Sequence, residues 1–176
     1  MDESGNVGRA FRTIHYTDYQ PPRILSNSAL RAESWEKLFT VLDQLHVSSV
    51  LDGDLSSSLK YAFTNGIPTN KQGLLPIELS VNDSAGRGTV LPIEFEIYNS
   101  YVATIKVQLK QYIVYLPVNA PFDPESYYLS ASLPGRMSFT SNVDTSRPGV
   151  YRVDYLVETK SADEYGKSAL IVVVEE

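Results

Sequence analysis

One strand–turn–strand segment occurs twice in this chain, and that repetition restricts the fold more than any other feature. Thr69-Asn70-Lys71-Gln72-Gly73-Leu74-Leu75-Pro76-Ile77-Glu78-Leu79-Ser80-Val81 returns without a gap as Thr145-Ser146-Arg147-Pro148-Gly149-Val150-Tyr151-Arg152-Val153-Asp154-Tyr155-Leu156-Val157. The offset is constant at 76 residues (69 to 145, 73 to 149, 81 to 157), and it also lays Phe63-Thr64 on Phe139-Thr140. A shorter echo, Asp2-Glu3-Ser4-Gly5, matches Asp83-Ser84-Ala85-Gly86 at an offset of 81 (2 to 83, 5 to 86). A period of this size means tandem modules, and the echo reads as the end of a preceding repeat.

The segments between these landmarks carry strand patterning. Ala10, Arg12, Ile14 and Tyr16 alternate with Phe11, Thr13 and His15, and Leu74 to Val81 and Thr89 to Tyr98 flank a turn at Asn82 to Gly86. The second unit follows with strands over Val102–Leu109, Tyr112–Val118, Met137–Thr140, Val150–Glu158 and Ser168–Glu175. Twelve tyrosines and many β-branched residues favour strands. One stretch breaks the pattern: Trp35, Leu38, Phe39, Leu42 and Leu45 recur at helical spacing behind Ser34, a suitable cap. The expected fold class is therefore all-β: two tandem immunoglobulin-like antiparallel β-sandwiches, with one short helix in the first. The expected boundaries are a leading strand or linker over 1–20, a first module over 21–98 and a second over 99–176, with the seam near Tyr98-Asn99-Ser100. That seam has no Gly/Ser linker. Two modules end to end, at about 3.3 Å per residue, would span some 70 Å, with Tyr98 and Tyr101 holding the angle between them.

Composition removes several functions. The net charge is −6 with dispersed Lys and Arg, so there is no basic stripe for nucleic acid and no polybasic membrane patch. Cysteine is absent, which removes thiolate catalysis and cysteine-based metal sites. The longest apolar run, near Leu170 to Val174, is far shorter than the ~18 residues a membrane helix needs. The acidic start, Met1-Asp2-Glu3-Ser4, is unlike a signal peptide.

The module motifs resemble a family. Val143-Asp144-Thr145 through Val157, together with Asp52-Gly53-Asp54-Leu55 and Asp83-Ser84-Ala85-Gly86, is similar to the signature of bacterial immunoglobulin-like surface repeats of the HYR-like kind. The second module departs from it by lacking the Asp-Gly-Asp turn and by an insertion around Lys160 to Tyr165. The resemblance implies a cell-surface or secreted setting and a structural rather than catalytic part.

Few residues suggest a site. Asp52, Asp54 and Asp83 are calcium candidates, since carboxylates two apart on a tight turn supply oxygen ligands; Asp54 is equally a cap for the turn that follows. No other cofactor is expected. His15 and His46 lie in different elements without metal-ligand spacing, and no Gly-x-Ser-x-Gly elbow is present, so no enzyme is expected. Tyr127 and Tyr128 are adjacent, so at least one is expected to be exposed and able to stack on a sugar or a partner. Trp35, Tyr151 and Tyr155 read as core, and Glu94 and Glu96 as the outward face of an amphipathic strand. The expected function is a non-catalytic spacer or stalk of a bacterial surface or secreted protein, its partners the neighbouring domains of a longer chain. The alternatives are a carbohydrate- or host-protein-binding adhesive module and an ancillary domain of an extracellular hydrolase.

Overall fold

Period-two alternation of apolar residues builds the strands, and the two repeated segments become the same strand in two sheets. The fold is that of a computed structural model, which describes residues 20–66 and 72–176. The strand expected within 1–20, with His15, and the start of the first repeated segment lie outside those residues. Among the described residues the chain is all-β, with one α-helix. In the first half, β1 (Arg23–Ser26), β3 (Leu45–Ser49) and β4 (Gly53–Asp54) form one sheet. The other holds β2 (Arg31–Ala32), β7 (Gly88–Ile97), β6 (Gly73–Asn82) and β5 (Lys60–Phe63), in that order. In the second half, β8 (Val107–Leu109) pairs with β10 (Tyr128–Ala131). Opposite them lie β9 (Ile113–Pro117), β13 (Tyr165–Glu175), β12 (Gly149–Glu158) and β11 (Arg136–Ser141). The order 2-7-6-5 is matched by 9-13-12-11, so the sequence repeat is a repeat of topology.

The pairing is antiparallel except at one edge of each large sheet. There β2 runs parallel to β7, and β9 parallel to β13. Within each half, side chains of one parity meet between the sheets: Ile24, Val47, Ile77, Leu79, Leu91 and Phe95 in the first, Val153, Tyr155, Leu170 and Val172 in the second. Helix α1 (Trp35–Leu42) is capped by Ser34, whose hydroxyl accepts from the Lys37 N–H, and it buries Leu38 and Leu42. The helical spacing ran on to Leu45, but Leu45 opens β3, where it pairs with Ser26. Strand pairing there replaces a last turn that would have left its carbonyls unpartnered.

The strand expected over Val102–Leu109 is reduced to Val107–Leu109, because the chain reverses before it. Asn99 turns the backbone: its carbonyl accepts from the Val102 and Ala103 N–H groups, and its Oδ1 accepts from the Tyr101 N–H at 2.9 Å. Consequently the two modules are not end to end. The end of β7 lies beside the start of β13, where an Arg31 Nη1–H donates to the Lys167 carbonyl. Farther along, Arg152 Nη1–H donates to the Glu94 carbonyl at 2.8 Å. At the opposite pole Arg23, at the start of β1, is ion-paired with Glu175, at the end of β13. The modules are folded back, large sheet against large sheet.

The seam packs tightly on β13. A Cβ added at Gly166 would sit 2.0 Å from the Ile105 carbonyl oxygen, while the Ile105 N–H donates to the Tyr165 carbonyl at 3.1 Å. Gly166→Ala must therefore move backbone, not a flexible side chain, and is expected to cost about 1–3 kcal/mol in urea-unfolding midpoints. An unchanged midpoint would contradict this packing.

Candidate functional site

The three aspartates are held by the turns they belong to. Asp52, between β3 and β4, accepts from the Ser84 N–H at 2.8 Å and the Ser84 hydroxyl at 2.6 Å, tying two turns together. Asp54 accepts from the Ser56 N–H at 2.9 Å and hydroxyl at 2.5 Å, just before the short 3₁₀ turn Ser56–Ser58. Asp83 is buried and accepts from the Arg87 N–H at 2.9 Å across the β6–β7 hairpin. These bonds hold the Asp52 and Asp54 carboxyls below the usual carboxylate range, with the serine hydroxyl the larger cause in each. Among the described residues no group of three or more His, Asp or Glu side chains converges as metal ligands, so the expected three-carboxylate calcium set does not form.

The adjacent tyrosines do not split between core and solvent. Tyr127 ends a 3₁₀ turn (Pro124–Tyr127) and Tyr128 begins β10, and the change of backbone direction lets both pack half-buried against the core. Tyr127 lies 5.6 Å from Phe122, ring to ring, and burial raises its hydroxyl pKa. Neither is the exposed platform expected from the sequence. Tyr155 is fully buried and donates to the Pro124 carbonyl at 2.7 Å. Trp35 is half-buried, edge-on to Phe39 at 6.0 Å, and Phe39 in turn meets Tyr61 and Phe63. Tyr61 is 41% exposed, so this cluster shows an aromatic flank at the outer edge of the first module.

The junction between modules holds the groups that sequence reasoning passed over. Arg31 is the centre. Its guanidinium lies 3.8 Å from the Tyr98 ring centroid, its Nη2 is 3.0 Å from Glu96 Oε2, and it reaches across to Lys167. The side chain is only 9% exposed, and this burial holds the guanidinium below its usual pKa, with Glu96 opposing the shift. Tyr98 thus acts through Arg31. Tyr101, expected to share the task, is 92% exposed and holds nothing. Toward the other pole, Tyr115 of β9 accepts from the Ile24 N–H at 2.8 Å and donates to the Ile24 carbonyl at 3.1 Å, satisfying the free edge of β1. Arg23 lies 5.0 Å over the same ring.

The junction leaves openings, of which the two widest differ in lining. A cleft of about 580 Å³ lies between Leu74 and Glu96 on one side and Arg152, Asp154, Leu156 and Lys167 on the other. A groove of about 490 Å³ follows the seam and is lined by Ser28, Arg31, Glu33, Tyr98, Lys106 and Lys167, among others. The sequence held one signal of the junction: Ala169 to Val174 is apolar without alternation, which is how a strand buried on both faces reads. No family model matches the sequence, and no curated protein matches it significantly. No helix among the described residues is long and apolar enough to cross a membrane.

Removing Arg31 would strand Glu96 in a partly buried site, so Arg31→Ala is expected to destabilise by about 3 kcal/mol. Arg31→Met with Glu96→Gln is expected to recover most of that loss, since neither partner is then charged and unpaired. Chemical unfolding of the three variants measures both values. A separate effect appears in alkali. Burial pushes the Tyr115 hydroxyl up to about 12 from 10.0, against a smaller opposing pull from its bond to Ile24. The folded chain therefore holds that proton more tightly than the unfolded chain. The resulting stability is complete below pH ~10 and is lost as pH rises toward ~12, by about 3 kcal/mol. Tyr115→Phe is expected to flatten that part of the stability–pH curve.

Proposed function

We propose that this chain is a non-catalytic structural segment of a bacterial cell-surface or secreted multidomain protein, built of two immunoglobulin-like modules folded back into one block. The observation that carries the reading is the Arg23–Glu175 ion pair, which puts the start of β1 and the end of β13 at one pole. Chain segments leading away from these two strands start close together, so the block stands to the side of their path. It is a lateral projection, not a length of stalk. The resemblance to HYR-like surface repeats supports the setting, and the Arg31 contacts support the stiffness. The partners under this reading are the neighbouring domains of the longer chain, without nucleic acid and without catalysis.

A second reading is an adhesive module for glycan or extracellular protein. The aromatic flank of Trp35, Phe39, Tyr61 and Phe63 favours it, because partly exposed rings are suited to stacking on a sugar face. A glycan panel that protects the wild type against heat, but not Tyr61→Ala, would favour this role.

The geometry is tested by solution scattering. A folded-back block of this length has an expected radius of gyration of about 16 Å. Two modules end to end, some 70 Å long, would give a value above about 20 Å. The larger value would overturn the projection reading.

A further inference from the structure

A free sheet edge can take a further strand, and folded proteins guard their edges by shortness, charge, Pro, bulges or cover. Among the described residues every edge but one is guarded in this way. Strands β2 and β4 have two residues each, and β8 has three. β10 is irregular between Tyr128 and Ser130. β9 ends in Pro117, and its Tyr115 takes the polar groups of Ile24 on β1. β5 has four residues and begins with the exposed Lys60. β11 differs. It runs six residues, Arg136–Ser141, in unbroken register with β12, and contains neither Pro nor Lys.

The register also fixes which groups β11 presents. The Asn142 N–H donates to the Arg152 carbonyl, which continues the pairing of Thr140 with Asp154 and Ser138 with Leu156. Bonded pairs alternate along an antiparallel ladder, so these even-numbered residues bond to β12. The N–H and C=O groups of Met137, Phe139 and Ser141 therefore point away from it. No backbone group of another described residue meets them. Met137 and Phe139 turn their half-buried side chains toward the core, with Phe139 6.2 Å from the Tyr155 ring. Ser138 and Thr140 are exposed on the outer face.

We propose that β11 is a docking edge for β11 of a second copy of this chain, antiparallel across a two-fold axis at Phe139. The occupant follows from the strand itself. In this register Phe139 pairs with its own copy and Met137 with the second copy's Ser141, so every outward N–H meets a carbonyl. An isologous contact of this kind closes at two copies. Ser138 faces the second copy's Thr140, and the strand's one charged residue, Arg136, falls opposite Asn142 and not opposite itself. Chains of net charge −6 can thus meet here without opposing like charges within the strand. Pairing over six residues buries less than a standard interface, so the dimer is weak and concentration-dependent. The interface goes beyond the structural role proposed above and does not depend on it.

The test is sedimentation of the whole chain from about 10 μM to about 1 mM, with amide hydrogen exchange read at Met137, Phe139 and Ser141. A dimer that grows with concentration, and slows exchange at these amides, is expected. Ser138→Lys with Thr140→Lys sets ammonium groups against each other across the axis, and Ser138→Glu with Thr140→Glu does the same with carboxylates. Each double variant is expected to weaken the dimer about tenfold, and an equimolar mixture of the two to restore it. Both positions are exposed, so the replacements leave the fold intact. A monomer throughout the range, unslowed exchange at these amides, full affinity in either variant, or no association in the mixture would overturn the proposal.

Discussion

The architecture depends on one strand that is apolar on both faces. In β13, Leu170, Val172 and Val174 point into the second module's own core, while Ala169 and Ile171 point the other way and are equally buried. A four-stranded sheet with such a central strand cannot leave that outer face to water without exposing a contiguous apolar patch. The first module's large sheet lies against this face, with Pro76, Pro92 and Glu94 lining a gap beside Ile171. Packing at that interface requires the chain to reverse at Asn99, and the reversal brings the two poles of the block into being.

Apolar burial alone would not set the register of one sheet on the other. The polar contacts along the junction can do so, because each joins a specific pair: Arg31 to Lys167, Arg152 to Glu94, Tyr115 to Ile24 and Arg23 to Glu175. Three of them use backbone carbonyls, which occur once per residue and so measure position along a strand. Buried charge of this kind contributes little net stability once desolvation is counted; its physical value is that every other alignment strands a charge. Tyr115 has a further effect. By taking both polar groups of Ile24, it leaves that part of the β1 edge closed to another strand.

Most of the individual module was legible in the sequence. The constant offset located β6 and β12, alternation located β7 and an apolar run located β13, because a strand's local pattern is a direct image of which sides are buried. Short strands with little room for alternation were not legible: β1, β2, β4 and β10 have two to four residues each and are defined by partners distant in sequence. The parallel edges fall in the same class. Leu45 was misread because one apolar residue serves a helical stripe and a strand equally well until its partner, Ser26, is known. Tyr127 and Tyr128 are a related case: adjacent residues face opposite ways only along a strand, and here the backbone turns between them.

The candidate site was least legible, and the cause is general. Glu94 and Glu96 follow the outward pattern of an amphipathic strand, and they do lie on the outward side; the pattern cannot say that another module waits there. Arg31 carried no signal at all, being one arginine in an irregular segment. A residue whose role is to meet a partner module is specified by the partner's surface, so only the pairing of the two surfaces reveals it. The one trace on the sequence was the unbroken run from Ala169 to Val174. An apolar run too short for a membrane and too regular for a loop implies a second covered face, and in a tandem repeat the nearest cover is the neighbouring copy.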